Sequence, residues 1–294
     1  MPSTALNRLT IGQYRCFYAE EIRTVANIHS RALVDAFAFV PREQFLGPPP
    51  WSFQSGPSLL QPVYRTTMDV HDLCHDVFVA LKASQHLNNG QPSLIARLID
   101  ALNLSAGKRV LHIGCGTGYY TAIMADVVGP NGSVTAVEAD PDLASQATAN
   151  LIGYKQVVVI NRDGAPIDPN PYDAILVNAG VTHPHPSWLE SLIEAGVLVL
   201  PLGVGKTPSA KDHIVLKITR QRDGYSADLL LLMTIYPSTS QRDPAIHYLL
   251  NESLESRAIV ALKSIRTQEH PRIETCIVHT PGFCLSADAV KPSE

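Results

Sequence analysis

From residue 92 onward the sequence alternates short apolar runs with helix-patterned segments, and this alternation restricts the fold more than any other feature. Pro92 opens Ser93–Leu104, where Leu94, Ile95, Leu98, Ile99 and Leu102 lie along one helical face. Proline suits a first helical turn, because the amide hydrogen it lacks has no partner there. Strand-like runs follow at Arg109–Ile113, Ser133–Glu138, Val157–Asn161, Ala174–Asn178 and Val197–Leu202. Helical patterns at Tyr119–Val128, Asp142–Ile152 and Ser187–Glu194 sit between most of them. Such alternation builds a parallel sheet covered on both faces. Two longer runs, His213–Arg220 and Ala227–Pro237, meet at Asp223-Gly224, a hairpin signal. The expected fold is α/β: doubly wound, mostly parallel, and ending in an antiparallel hairpin.

The flanks read differently. Tyr18–Ala38 has near-helical apolar spacing, and Pro41 ends that helix. Residues 47–66, with Pro48, Pro49, Pro50, Pro57 and Pro62, read as an irregular extended connection. After the hairpin, Ala245–Ile265 has a helix pattern and an irregular tail follows, including HTPGFCLS at 279–286, which is expected to pack on the core. Three regions result: a helical and irregular N-terminal extension covering the active site (1–88), a core (89–237), and a C-terminal helix and tail (238–294).

Composition narrows the function classes. Apolar residues make up 45 % of the chain and charged residues 17 %, enough for a substantial core. The net charge, 23 − 27 = −4, leaves no basic footprint for nucleic acid. The five cysteines are scattered without a CxxC pair, so their spacing suggests neither zinc nor a disulfide framework. The first twenty residues contain no apolar run, and Leu229–Ile235 is too short to cross a bilayer. The expectation is a cytoplasmic protein with no membrane partner.

The chemistry centres on VLHIGCGTG, residues 110–118, where a strand gives way to a helix. Gly114, Gly116 and Gly118 let the backbone turn and approach a ligand without a β-carbon in the way. Cys115 and Thr117 complete the loop. A helix N-terminus follows, with free amides and the positive end of its dipole. In dinucleotide enzymes the third glycine falls three positions after the second; here it falls two after. Glu138, followed by Ala139, ends the next strand, where a carboxylate can accept both ribose hydroxyls. Asp163-Gly164 closes the third, with Asp163 placed for an adenine amino group. Asn178-Ala179-Gly180 closes the fourth. Taken singly these are a solvated strand end, a turn and a tight loop; at successive strand ends they mark a nucleoside-cofactor cradle.

The stretch from about Asn89 to Pro237 resembles the protein-L-isoaspartate O-methyltransferase family. The motifs that carry the resemblance are "GQPSLIARLIDALNLSAGKRVLHIGCGTGYYTAIMADVVG", "VTAVEADPDLASQATANL", "RDGAPIDPNPYDAILVNAG" and "LIEAGVLVLPLG". The segment "ALVDAFAFVPREQFL", residues 32–46, is similar to that family's opening. The resemblance implies a seven-stranded, Rossmann-like methyltransferase sheet, S-adenosyl-L-methionine as donor, and esterification of an aspartyl or isoaspartyl carboxylate in a peptide or protein.

Two positions depart from the family pattern. His112 stands where the first strand has an acid that helps hold the methionine ammonium. Gly90 stands where a serine associated with catalysis and substrate positioning precedes the first core helix. An ionised carboxylate attacks a sulfonium methyl without a general base, so catalysis is mostly positioning and desolvation. Asn88-Asn89-Gly90-Gln91 is the polar cluster expected to grip the acceptor or close over the donor; its plainer reading is a helix-entry turn capped by Asn88 or Asn89. His71 and His75 fall on one helical face beside Asp69, Asp72 and Asp76, more simply a solvated face than a metal pair. His183-Pro184-His185-Pro186 follows the fourth strand, as a substrate contact or a shaped loop. Two other readings stand beside carboxyl methylation: a small-molecule O- or N-methyltransferase with a carboxylate or other acceptor, and an inactive methyltransferase-like binding module.

Overall fold

The elements of the first part of the chain are helices α1 (Ile11–Ala26) and α2 (Arg31–Phe39), strands β1 (Trp51–Gln54), β2 (Tyr64–Thr67), β3 (Ala80–Lys82) and β4 (Leu87–Asn88), and helix α3 (Pro92–Ala101). The alternating region holds β5 (Arg109–Ile113), α4 (Tyr119–Val128), β6 (Ser133–Glu138), α5 (Pro141–Asn150), β7 (Val157–Asn161), β8 (Tyr172–Val177), α6 (Pro186–Glu190) and β9 (Leu192–Val204). Strands β10 (Asp212–Gln221) and β11 (Gly224–Thr234) follow, then α7 (Pro244–Glu255), β12 (Ser264–Arg266), β13 (Cys276–His279) and β14 (Cys284–Ser286). These come from a computed structural model describing residues 9–54, 64–82, 87–168, 170–204, 212–238 and 240–290. Two compact units interleave along the chain: one comprises 1–107, 115–136 and 140–161, the other 108–114, 137–139 and 162–294.

In the first unit, α1 opens with a reciprocal cap in which Thr10 and Gln13 satisfy each other's backbone amides. The sequence reading ran one helix from Tyr18 to Ala38; two helices stand there instead. Asn27 turns left-handed at φ 53° and ends α1, and the Ser30 side chain accepts from the Leu33 amide to start α2. Their buried faces carry Tyr18, Ala19 and Ile22 from α1 and Leu33, Val34 and Phe37 from α2. The proline-rich connection is also more ordered than expected, because β1 and β2 pair antiparallel from Trp51↔Thr67 to Gln54↔Tyr64. Its central part, with Pro57 and Pro62, lies outside the described residues. Trp51 and Phe53 join Leu46, Leu73 and Val79 in a small apolar cluster. Helix α4 is buried nearly all round, the mark of a central element.

The second unit is built on a sheet ordered β13-β14-β12-β11-β10-β9-β8-β5, continuing into the end of β6. β5 and β8 are parallel, as are β8 and β9, and β10 runs antiparallel to both β9 and β11. The parallel strands β5 and β8 are buried almost throughout, as strands covered on both faces must be. The expected hairpin forms at Asp223-Gly224, with Gln221 opposite Gly224. The tail is not irregular: β12, β14 and β13 add three short antiparallel strands outside β11. The helix expected over Ala245–Ile265 stops at Glu255, because Arg257 turns left-handed at φ 59° and the chain then enters a 3-10 turn and β12. Among the described residues no helix is long and apolar enough to cross a membrane.

Candidate active site

In the second unit, four successive strand ends carry His112, Gly114, Glu138, Ala139, Asp163, Gly164, Asn178 and Ala179. The backbone ties these ends together. Gly114 donates to the Val137 carbonyl at 2.8 Å, Asn178 to the Ile113 carbonyl at 2.8 Å, and Arg162 to the Glu138 carbonyl at 3.1 Å. Two glycines are required by packing. Gly114 has φ +77°, and a β-carbon there would stand 3.1 Å from the Asn178 carbonyl oxygen. At Gly164 it would stand 2.3 Å from Ile113 Cγ2. Glu138 is half-buried, whereas Ala139 and Asp163 are exposed. Asp163 Oδ1 accepts from Ser240 Oγ at 2.8 Å, a partner that sequence spacing did not suggest. Trp188 Nε1 donates to the Gly164 carbonyl at 2.8 Å, fixing that turn from α6.

His112 is the last residue but one of β5, opposite Leu176, and is 0 % exposed. Burial alone pushes its imidazole down to about 3, so it is neutral at physiological pH. A histidine with a depressed folded pKa binds its proton more readily when unfolded. Its contribution to stability is complete above the unfolded value of about 6.5 and is lost as pH falls toward 3. The stability gap between the protein and His112→Gln should therefore shift in favour of the variant by up to about 1.4 kcal/mol per pH unit below pH 6.5. Urea titrations between pH 7 and 4 measure it, and a gap independent of pH would rule out the buried neutral imidazole.

The first unit carries the rest of the glycine loop and the segment before α3. Gly116 and Gly118 both have positive φ, +56° and +93°. At Gly118 a β-carbon would stand 2.7 Å from Leu151 Cδ1, but at Gly116 it would meet nothing within 4 Å. Gly118 serves the packing of α4 on α5, and Gly116 faces open space. Cys115 and Thr117 are buried, and Asn150 Nδ2 donates to the Thr117 carbonyl at 2.9 Å. Helix α4 has no side-chain cap at its N-terminus.

Around α3 the structure gives each polar residue a definite partner. Asp76 caps the helix: its carboxylate accepts from the Ser93 amide at 2.8 Å, Ser93 Oγ at 2.6 Å and Gln91 Nε2 at 2.8 Å. Capping was expected from Asn88 or Asn89; instead Asn88 Oδ1 accepts from the Gly90 amide at 2.8 Å. Asn89 is buried and its Oδ1 accepts from Arg42 Nη2 at 2.8 Å, while its Nδ2 has no partner among the described residues. Gly90 sits at φ +78°, and its carbonyl accepts from Tyr120 Oη at 3.2 Å. Arg42, only 3 % exposed, also donates to the carbonyls of Leu73, His75 and Val77 at 3.3, 3.2 and 2.7 Å. No spacing pattern marks Arg42 for this role; its place in Val40-Pro41-Arg42 is the available signal. The His71–His75 helix face does not form, because Val70–Leu73 is one 3-10 turn and His71 Nδ1 lies 2.6 Å from Asp69 Oδ1.

Back in the second unit, the His183-Pro184-His185-Pro186 loop is tied internally. His185 Nδ1 accepts from the Ser187 amide and so caps α6, and Thr182 Oγ1 lies 3.0 Å from His183 Nδ1. Burial lowers both imidazoles. His183 lines a cleft of about 380 Å³ with Asp243, Ile246 and Phe283.

The sequence model of protein-L-isoaspartate(D-aspartate) O-methyltransferase matches residues 19–240. The protein-L-isoaspartate O-methyltransferase of Ignicoccus hospitalis is 35 % identical over 150 residues, 50 % of this chain and 69 % of that protein. The enzyme 1 of that name from Archaeoglobus fulgidus is 42 % identical over 116 residues, 38 % of this chain and 54 % of that protein. In structure, a putative protein-L-isoaspartate O-methyltransferase from Plasmodium falciparum, in complex with S-adenosyl-L-homocysteine, superposes with a TM-score of 0.60 at 18 % identity, covering 76 % of this chain and 98 % of that one. A second protein-L-isoaspartate O-methyltransferase gives 0.56 at 23 % identity, covering 86 % and 71 %. With three quarters of its length inside one family's pattern, and the methyltransferase fold beneath it, the chain belongs to the protein-L-isoaspartate O-methyltransferases, S-adenosylmethionine-dependent enzymes that methylate carboxylates.

Proposed function

We propose that this chain transfers the methyl group of S-adenosyl-L-methionine to an aspartyl or isoaspartyl carboxylate of a peptide or protein. The observation that carries the reading is Gly116. Its neighbours Gly114 and Gly118 are glycine because the protein's own atoms crowd them, whereas a β-carbon at Gly116 would point into open space at φ +56°. The backbone turn at φ +56° favours glycine in its own right, and the open space beside it leaves the loop free for close approach by a ligand.

The residues present fit the donor's chemistry. The half-buried carboxylate of Glu138 would accept from the ribose hydroxyls, and Asp163, exposed and steadied by Ser240, from the adenine amino group. The amides at the start of α4 and the loop backbone would face the polar atoms of the amino-acid end. When bound, the donor supplies a sulfonium methyl group as electrophile. The acceptor needs no proton removed, so this chain's work is to bind, orient and exclude water. Asn89 Nδ2, buried and without a partner among the described residues, beside the left-handed turn at Gly90, is the group best suited to donate to an acceptor carboxylate.

Calorimetric titration with S-adenosyl-L-homocysteine tests the donor site. Glu138→Gln should weaken binding by about 1.5–3 kcal/mol, the scale of a hydrogen bond to a charged group. Unchanged affinity in a folded variant would remove Glu138 from the site. Radiolabelled methyl transfer to aspartyl and isoaspartyl peptides, with release by mild base, tests the acceptor; label that resists base would point to nitrogen rather than carboxyl.

A further inference from the structure

We propose that His270, Cys276, His279 and Cys284 form a structural zinc site in the C-terminal strands. One ligand atom from each side chain lies within 4.8 Å of every other. The residues are far from a CxxC pattern, and the fold gathers them. Cys276 and His279 begin and end β13, Cys284 begins β14 directly opposite His279, and His270 comes from the segment before β13.

A second observation points to a metal. Nε2 of His270 and Nδ1 of His279 are both buried without a hydrogen-bond partner among the described residues. Buried imidazole nitrogens ordinarily have one. The two rings stand close, centroids 4.8 Å apart at 61°. The other nitrogen of His270 is already committed: Nδ1–H donates to the Pro271 carbonyl at 2.7 Å, which selects the tautomer whose Nε2 lone pair is bare. The Ile273 amide donates to Cys276 Sγ at 3.4 Å, which orients that sulfur. No cysteine of the five is in a disulfide.

The donor set chooses the ion. Two thiolates and two imidazoles suit zinc, which takes four such ligands tetrahedrally, and do not suit calcium or magnesium. Binding releases the two thiol protons, and two thiolates cancel the charge of the ion, so the complete set is neutral where a lone ion would be costly to bury. Zinc–ligand distances of about 2.0–2.3 Å would draw the four atoms to about 3.5 Å apart, a modest contraction.

The local fold has a use for such a staple. β13 and β14 have four and three residues, too short for a hairpin to persist on its own pairing. Yet Val278, Phe283 and Leu285 are buried in the main core, so this hairpin must hold its register. The strand entering Cys276 is already pinned, with Thr275 Oγ1 and Arg266 Nη2 both donating to Asp288 Oδ2 at 2.9 and 2.7 Å.

The full chain, purified without chelator, should contain about one zinc per molecule by plasma mass spectrometry. Cobalt(II) added to protein stripped of metal should give the visible bands of a tetrahedral ion with thiolate charge transfer. The double variant Cys276→Ser, Cys284→Ser should lose the metal. If that variant does not fold, the unmodified protein still decides: chelation should expose two further thiols to a disulfide reagent, reversibly on adding zinc. Metal below a tenth of stoichiometry together with cobalt uptake lacking thiolate bands would overturn the proposal. So would metal retained undiminished by the folded double variant, or a Cys276–Cys284 disulfide whose reduction does not confer metal uptake.

Discussion

Replacing Arg42 by leucine should cost about 3–5 kcal/mol, a large part of the total stability of a domain. The guanidinium holds four acceptors from one buried point: the carbonyls of Leu73, His75 and Val77 and the side-chain oxygen of Asn89. Leucine fills part of the volume but withdraws these donors: the Leu73 carbonyl and Asn89 Oδ1 lose them in buried surroundings, while the His75 carbonyl keeps the Val77 amide, and each group left without a donor carries its own desolvation penalty. Arg42→Lys should fall between, since an ammonium has three donors at a point instead of a planar fork. Urea midpoints for the three proteins measure the effect. A leucine variant within about 1 kcal/mol of the parent would show that the carbonyls find other partners.

The largest effect on ligand binding is expected at Gly116. Gly116→Val should weaken S-adenosyl-L-homocysteine by at least about a hundredfold, or about 2.7 kcal/mol. The protein itself has room for the added β-carbon, because nothing lies within 4 Å of it. The branched residue would pay strain at φ +56°, of about 1–2 kcal/mol, and that part must be separated from occlusion. Gly116→Ala supplies the control: it has much of the strain and little of the bulk. Calorimetry on both, with melting curves, distinguishes the two. If valine and alanine bind the donor product equally well, residues 114–118 form a turn and nothing more.

The legible parts of the fold were those where one local signal suffices. β5, β6 and β7 have the bounds the apolar runs suggested, because glycine or acidic turns interrupt them sharply. The hairpin at Asp223-Gly224 is likewise a two-residue signal. Structure departs from the sequence pattern where a polar residue in ordinary-looking sequence takes a left-handed conformation: Asn27 splits the first helix, and Arg257 ends α7 early. The C-terminal strands escaped notice because three or four residues carry too little alternation to read.

The candidate site divides in the same way. Glycines and acids at strand ends follow from topology, and the chain order places them. The partners of Asn89 and Gln91 do not, because Arg42 and Asp76 reach them across 47 and 15 positions of sequence. The His–Cys cluster is a similar case: only the pairing of β13 with β14 puts Cys284 against His279.

The left-handed turn at Gly90 restricts what can stand at this position. Its geometry is held from both sides, by Asn88 on its amide and Tyr120 on its carbonyl. A serine at this position would enter a backbone basin closed to most side chains and would press its β-carbon to 3.1 Å from Ile95. A single Gly90→Ser exchange therefore does not leave the backbone of the turn as it stands. Seating a side chain there requires Asn88 and Tyr120 to release the turn, so this position can change only together with its neighbours.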